Sequence, residues 1–162
     1  MGQFSINPQV LQKMRDKTFL KEAFASKEKL KGLLGFSSET MALMYQSAHH
    51  FFTEHQYEEA AEAFLFLATL DPDNFDYWLG LGMSVQMRGD YEAGIDAYEM
   101  AAFIEVENPI SYFYLSKCFF AMHDRENAKQ ALEMAIDYAG DSSQYADLKH
   151  QAHAALQLIE KT

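Results

Sequence analysis

The side chains of this sequence that could perform chemistry are few, and its histidines come first. His150 and His153 lie three residues apart, a spacing that puts two imidazoles on one face of a helix. His49, His50 and His55 form a looser group. No further Cys or His residues accompany either group at the spacing of a zinc site. We therefore predict no metal site.

Catalytic groups are equally sparse. Cys118 stands beside Phe119 and Phe120 in a helical pattern, where a cysteine acts as a small buried hydrophobe. The adjacent carboxylates of Glu58 and Glu59 are typical of a solvated helix face. The glycines fall at helix ends or at packing positions, and none forms a phosphate-binding loop. We expect neither an enzyme nor a bound cofactor.

Composition and charge indicate a globular, acidic protein. Hydrophobic residues make up 49% of the 162 residues, and the net charge is −11. Residues 41–142 hold 4 Lys/Arg against 18 Asp/Glu, a net of −14, which argues against nucleic-acid binding. No apolar run approaches the roughly 18 residues of a membrane helix, and the N-terminus lacks the apolar core of a signal peptide. With a single cysteine, these features predict a cytoplasmic protein without direct membrane insertion.

An interval of 34 residues organises the middle of the chain. Eight sets of positions keep this interval through three copies without an insertion, and two of the sets hold only small residues: Ala60, Gly94 and Ala128; Ala48, Gly82 and Ser116. The period, together with Trp78, Leu81 and Gly82 in a W-x2-L-G pattern, is the signature of the tetratricopeptide repeat. Helices that cross closely need small residues, which explains glycines inside helices despite a cost of about 1 kcal/mol each.

The sequence thus predicts an all-α fold, a tetratricopeptide-repeat superhelix that forms a single domain over 1–162. Its parts are an N-terminal helical segment (8–36), three repeats (41–74, 75–108 and 109–142) and a C-terminal capping helix (143–162). The six repeat helices are predicted at roughly 41–54, 57–70, 75–88, 91–104, 109–122 and 125–138. Ser142 or Ser143 would cap the last helix.

The first helices of such repeats line a concave groove. The 34-residue register places there a largely apolar set: Tyr45, Leu79 and Phe113; His49, Met83 and Lys117; Phe52, Gln86 and Phe120. Such a lining favours a peptide-binding groove, although the chain's own N-terminal segment could equally cover Tyr45 and Phe52. Lys117 is its only cation, whereas grooves that grip the C-terminal carboxylate of heat-shock chaperones use Lys, Asn and Arg, so no such clamp is expected.

Residues 36 to about 140 resemble a specific family. The runs FLFLATLDPDNFDYWLGLGMSVQMRGDYEAGIDAYEMAA and MYQSAHHFFTEHQYEEAAEAF are similar to class II (SycD/LcrH-like) tetratricopeptide chaperones of bacterial type III secretion. The resemblance implies a virulence-associated cytoplasmic chaperone that binds an extended segment of hydrophobic translocator proteins and keeps them soluble and secretion-competent. It also implies that this segment carries spaced Pro and Leu anchors, as in a Pro-x-Leu-x-x-Pro-like stretch. It transfers groove aromatics to Tyr45, Phe52 and Tyr57, with His49 where the family commonly has a third aromatic. It also implies a homodimer formed through the N-terminal helices.

Two alternatives stay open at this point. One is a generic tetratricopeptide scaffold that binds folded partners or charged tails, and the apolar groove argues mildly against it. The other is an adaptor that regulates an enzyme and uses the repeats for docking.

Overall fold

The computed structural model describes residues 35–162, which form seven α-helices, one short 3-10 helix and no strand. The helices are α1 (Ser38–Thr53), α2 (Tyr57–Leu70), α3 (Phe75–Met87), α4 (Tyr91–Ile104), α5 (Pro109–Ala121), α6 (Arg125–Ala139) and α7 (Ala146–Lys161). Each helix packs against the next one in the chain, and α1, α3 and α5 also contact one another in order. The predicted all-α repeat fold is confirmed. The predicted N-terminal helical segment lies outside the described residues as far as residue 34.

The helices of the repeats follow the sequence periodicity closely. Helices α2 and α4 have the bounds predicted for them, whereas α1 begins at Ser38, three residues earlier than expected. The reason is a cap that the periodicity did not indicate. The side-chain oxygen of Ser37 accepts a hydrogen bond from the backbone N–H of Thr40 at 3.1 Å, which satisfies a donor of the first turn.

The C-terminal cap departs from the prediction of one helix over 143–162. A 3-10 turn, Ser143–Tyr145, precedes α7, and Ser142 stands before that turn without a side-chain capping bond. The prediction of a serine cap for this helix was therefore wrong. The physical reason is that the backbone carbonyl of Ser142, and not its side chain, accepts the N–H of Tyr145 at 3.2 Å. The ammonium of Lys149 donates to the carbonyl of Gly140 at 2.6 Å and thereby ties α7 to the end of α6.

The turn inside each repeat also follows the 34-residue interval. His55, Gly89 and His123 have φ angles of 60°, 84° and 62°, so all three occupy the left-handed region. The residue after each one donates its N–H to a carbonyl in the last turn of the preceding helix, at 2.8, 3.0 and 2.9 Å. The three turns therefore have one geometry, although only the middle one uses glycine.

Glycines set the separation of the central helices. A Cβ atom on Gly82 would lie 2.5 Å from the ring of Tyr98, and one on Gly80 would lie 2.4 Å from the ring of Phe64. Both residues are fully buried, with at most 1% of their surface exposed. Gly94 is less constrained, since the nearest atom, Sγ of Cys118, would be 3.1 Å away. The packing role predicted for the two repeat-pattern glycines is thus much stronger at Gly82.

We predict opposite results for alanine at these two glycines. Gly82→Ala should lower the free energy of unfolding by about 1–3 kcal/mol, because the new methyl group overlaps a buried ring. Gly94→Ala should stay within about 1 kcal/mol of the parent, because its mild crowding is offset by the better helix propensity of alanine. Urea unfolding followed by circular dichroism measures both. Equal losses at the two positions would contradict the packing account.

Candidate functional site: a groove on the first helices

The sequence-predicted site residues lie on helices that are adjacent in the fold. All of them except Tyr57 lie on the first helices of the three repeats, which are α1, α3 and α5, and Tyr57 begins α2. Because these three helices contact one another in order, we expect the side chains at matching positions of the 34-residue register to form one face. We call this face the groove.

At its first-repeat end the groove is a cluster of aromatic rings. The rings of Tyr45 and His49 meet edge to face, with their centres 4.5 Å apart. Their centres lie 6.0 and 5.6 Å from that of the Phe64 ring on α2. Tyr45 also lies 5.6 Å from the ring of Tyr77 on α3. Burial, and after it the nearby Asp76, raises the pKa of Tyr45 above its ordinary value, so its hydroxyl remains protonated. The cluster offers an apolar wall with hydroxyl and imidazole groups at its rim.

A second pair of rings stands next to this cluster. Phe52 and Tyr57 lie 5.4 Å apart, and the hydroxyl of Tyr57 is hydrogen-bonded to Nδ1 of His55 at 2.7 Å. Phe52 and Tyr57 are both half-buried, so part of each ring faces solvent. The turn after α1 thereby fixes the orientation of Tyr57.

The centre of the groove is carried by α3. Leu79 is half-buried against both hydrophobic clusters of the protein, and Met83 is half-buried against the second one. Gln86 has an internal partner, since its side-chain oxygen accepts a hydrogen bond from the hydroxyl of Tyr98 at 2.6 Å. Burial raises the pKa of Tyr98, which keeps that hydroxyl a donor. Leu79 and Met83 therefore provide the apolar surface here, and Gln86 supports it.

The third-repeat end combines apolar rings with one charge. Phe113 is buried, with 8% of its surface exposed, whereas Phe120 is 53% exposed. The ammonium of Lys117 lies 4.7 Å from the ring centre of Phe113 and 5.1 Å from that of Tyr114. Phe120 is thus the accessible aromatic of this end, and Phe113 contributes mainly as the floor under Lys117.

Sequence reasoning missed the rings that support the groove from below. Phe64 backs Tyr45 and His49, while Tyr114 stacks on Tyr98 at 5.5 Å. The signal was present in the 34-residue register. Phe64 and Tyr98 correspond, and the residues they cover, Gly80 and Tyr114, also correspond. Between the first and second repeats, the ring of Phe64 covers the glycine at position 80. Between the second and third repeats, the ring of Tyr98 covers the ring of Tyr114 instead.

The other candidate chemical groups do not assemble into a site. Within residues 35–162, no three His, Cys, Asp or Glu side chains come together as metal ligands. His150 and His153 are exposed on α7. Cys118 is completely buried against the glycine position of α4, as expected for a small hydrophobe. Burial raises the pKa of its thiol to about 11.

We predict that Cys118 resists alkylation in the folded protein. A thiol with a raised pKa stays protonated near neutral pH, and thiolate, the reactive form, appears only as the pH approaches the raised value. Iodoacetamide near neutral pH should modify the thiol slowly in the native protein and fully in guanidinium chloride, as measured by mass spectrometry. Rapid native modification would show that the α4–α5 contact opens readily.

Comparison with known proteins gives consistent matches. The tetratricopeptide-repeat family matches residues 41–74 and 75–108. Low calcium response locus protein H of Yersinia pestis is 26% identical over 124 residues, which cover 76% of this chain and 74% of that protein. The chaperone protein SicA of Salmonella typhimurium is 26% identical over 114 residues, which cover 70% of this chain and 69% of that protein.

The translocator chaperone SycD of Yersinia enterocolitica has a similar structure. Its complex with a peptide of the translocator YopD superimposes with a TM-score of 0.75 at 25% identity, over 76% of this chain and 95% of SycD. A second SycD structure, described as an alternative dimer, gives 0.75 at 26% identity over 76% and 94%.

A search of the described helices found none that is both long and apolar enough to cross a membrane. In its repeat pattern, its sequence and its fold, the chain is thus similar to the chaperone protein SicA and to the type III secretion translocator chaperone SycD.

Proposed function

We propose that this protein is a cytoplasmic chaperone that holds an extended segment of a hydrophobic translocator protein in its groove. Bound in this way, the translocator stays soluble and competent for secretion, and no catalytic step is needed. The observation that carries the proposal is the incomplete burial of apolar side chains on all three first helices: Phe52 on α1, Met83 on α3 and Phe120 on α5. The structure of SycD in complex with a translocator peptide supports a translocator segment as the ligand of the groove.

The energetics of such a groove suit an extended apolar client. Burying apolar surface stabilises a complex by about 25 cal/mol per Å², and a groove built on packed helices loses little conformational freedom when it binds. The net −14 of residues 41–142 keeps a loaded chaperone soluble, because like charges oppose association of the complexes.

We assign client contacts according to exposure. The first-repeat end would receive an anchor between Tyr45, Phe52 and Tyr57, with His49 at its edge. Leu79 and Met83 would contact the middle of the segment, and Phe120 its far end. Gln86 and Phe113 would shape the groove from below, and Lys117 would lie over Phe113 near the far end. We also propose the division of the chain that the sequence predicts, in which residues 8–36 are the segment that joins two copies into a homodimer. The alternative dimer of SycD is a precedent for self-association.

A double substitution in the groove tests the proposal. Met83→Glu with Phe120→Glu places two charges where the client's apolar anchors would lie, so a co-expressed translocator should no longer co-purify and should become insoluble. Both side chains are partly exposed, and the circular dichroism of the helices should stay unchanged. The matched control is Phe103→Glu, on the second helix of the same stack, where the ring is 80% exposed. This control should bind like the parent.

Light scattering after size-exclusion chromatography gives the stoichiometry of the same samples. We expect the free protein at twice its chain mass of 18.5 kDa. Retained client binding by the double variant would remove the groove from the mechanism and favour a generic repeat scaffold that uses another surface.

A further inference from the structure

Lys117 is the one cation among the described residues that line the groove. Its ammonium lies over two rings, 4.7 Å from the centre of Phe113 and 5.1 Å from that of Tyr114. Cation–π contacts with two neighbouring faces restrict a side chain that is otherwise among the most flexible. The charge is therefore held at a defined place in the third-repeat end of the groove.

This ammonium has no oxygen partner in the described part of the chain. Two other lysines do have carboxylate partners: Lys129 pairs with Glu133 at 3.9 Å and with Glu160 at 3.6 Å, and Lys149 lies 4.0 Å from Asp141. Between residues 35 and 162, no carboxylate lies within 4.0 Å of the Lys117 ammonium and no acceptor takes a hydrogen bond from it. Arg88 and Arg125 also have no carboxylate within 4.0 Å between residues 35 and 162, so Lys117 differs from them by its fixed place over two rings on the groove.

A bound client changes the surroundings of this charge. Water solvates the ammonium in the free groove, since Lys117 is exposed. A client segment that contacts Phe120 and Met83 displaces part of this water, and an ammonium without an acceptor then opposes binding. A carboxylate on the client removes the penalty and adds a charge-assisted hydrogen bond.

We infer that the client segment carries an acidic side chain that pairs with Lys117 and fixes the register of the segment in the groove. The inference rests on the proposed function. Lys117 and Phe120 lie one helical turn apart, with Cβ atoms about 5–6 Å from each other. An extended segment rises about 3.3 Å per residue. The acidic residue therefore lies about two positions from the apolar anchor that contacts Phe120.

The recognised group is a side-chain carboxylate rather than a chain terminus. Lys117 is the only lysine or arginine on α1, α3 and α5, so these helices offer no second one that could share a terminal carboxylate. Peptides with an amidated C-terminus separate the two sources, because they retain only side-chain carboxylates.

The test uses fluorescent, amidated 12-residue peptides with a Pro-x-Leu-x-x-Pro core, and the full-length protein. Glu, Gln or Lys is placed at each other position in turn, and affinity is measured by fluorescence anisotropy. At one position the Glu peptide should bind about tenfold more tightly than the Gln peptide, a ratio worth about 1.4 kcal/mol. Lys117→Met should abolish this preference, and Lys117→Glu should transfer it to the Lys peptide. Lys129→Met, which changes the net charge equally on α6, should keep it.

The possible outcomes distinguish a failure of this inference from a failure of the proposed function on which it rests. If Glu and Gln peptides bind equally at every position, the groove binds peptides but Lys117 does not select among them, and the inference is overturned. If the Glu preference survives Lys117→Met, another residue reads the charge, with the same consequence. If no peptide of any series binds, the proposed function fails and the inference fails with it.

Discussion

The contact of the Tyr98 ring with the backbone of Gly82 is the constraint on which the rest of this structure depends. A methyl group at position 82 would lie 2.5 Å from a ring that has no exposed surface, so a larger residue there would force α3 and α4 apart. The same ring stacks on Tyr114 of α5 and donates its hydroxyl hydrogen bond to Gln86 of α3. One side chain therefore joins the second repeat to the third and positions a residue of the groove.

The groove inherits its character from this packing. Because large rings fill the spaces between helices, the first helices are held apart at fixed distances, and their remaining apolar side chains are only partly covered. Phe64 beneath Tyr45 and His49 has this role in the first repeat, and Phe113 beneath Lys117 has it in the third. A rigid, partly apolar face of this kind is suited to extended segments that bring their own anchors and lack a folded surface.

The sequence predicted the repeat fold because its signal is periodic: small residues return every 34 positions, and every helix of the repeats follows from that register. Features that occur once were not predicted. The Ser37 cap depends on one local hydrogen bond, and the 3-10 turn before α7 is likewise closed by one, from the N–H of Tyr145 to the carbonyl of Ser142. In the site, the register placed Phe113 and Phe120 on one face, but it could not distinguish 8% from 53% exposure. The exposure of a side chain depends on the helices packed around it. A set of residues at 34-residue spacing does not describe those helices.

The most direct test of the central claim, that a client lies along α1, α3 and α5, is site-specific photo-crosslinking. The photoreactive amino acid p-benzoylphenylalanine replaces Phe120 in the groove or Phe103 on α4, two phenylalanines with exposed rings, in protein co-expressed with a translocator. The account predicts an ultraviolet-dependent adduct with the translocator from position 120 and none from position 103. An adduct from position 103 alone would contradict it and place the client on the second helices.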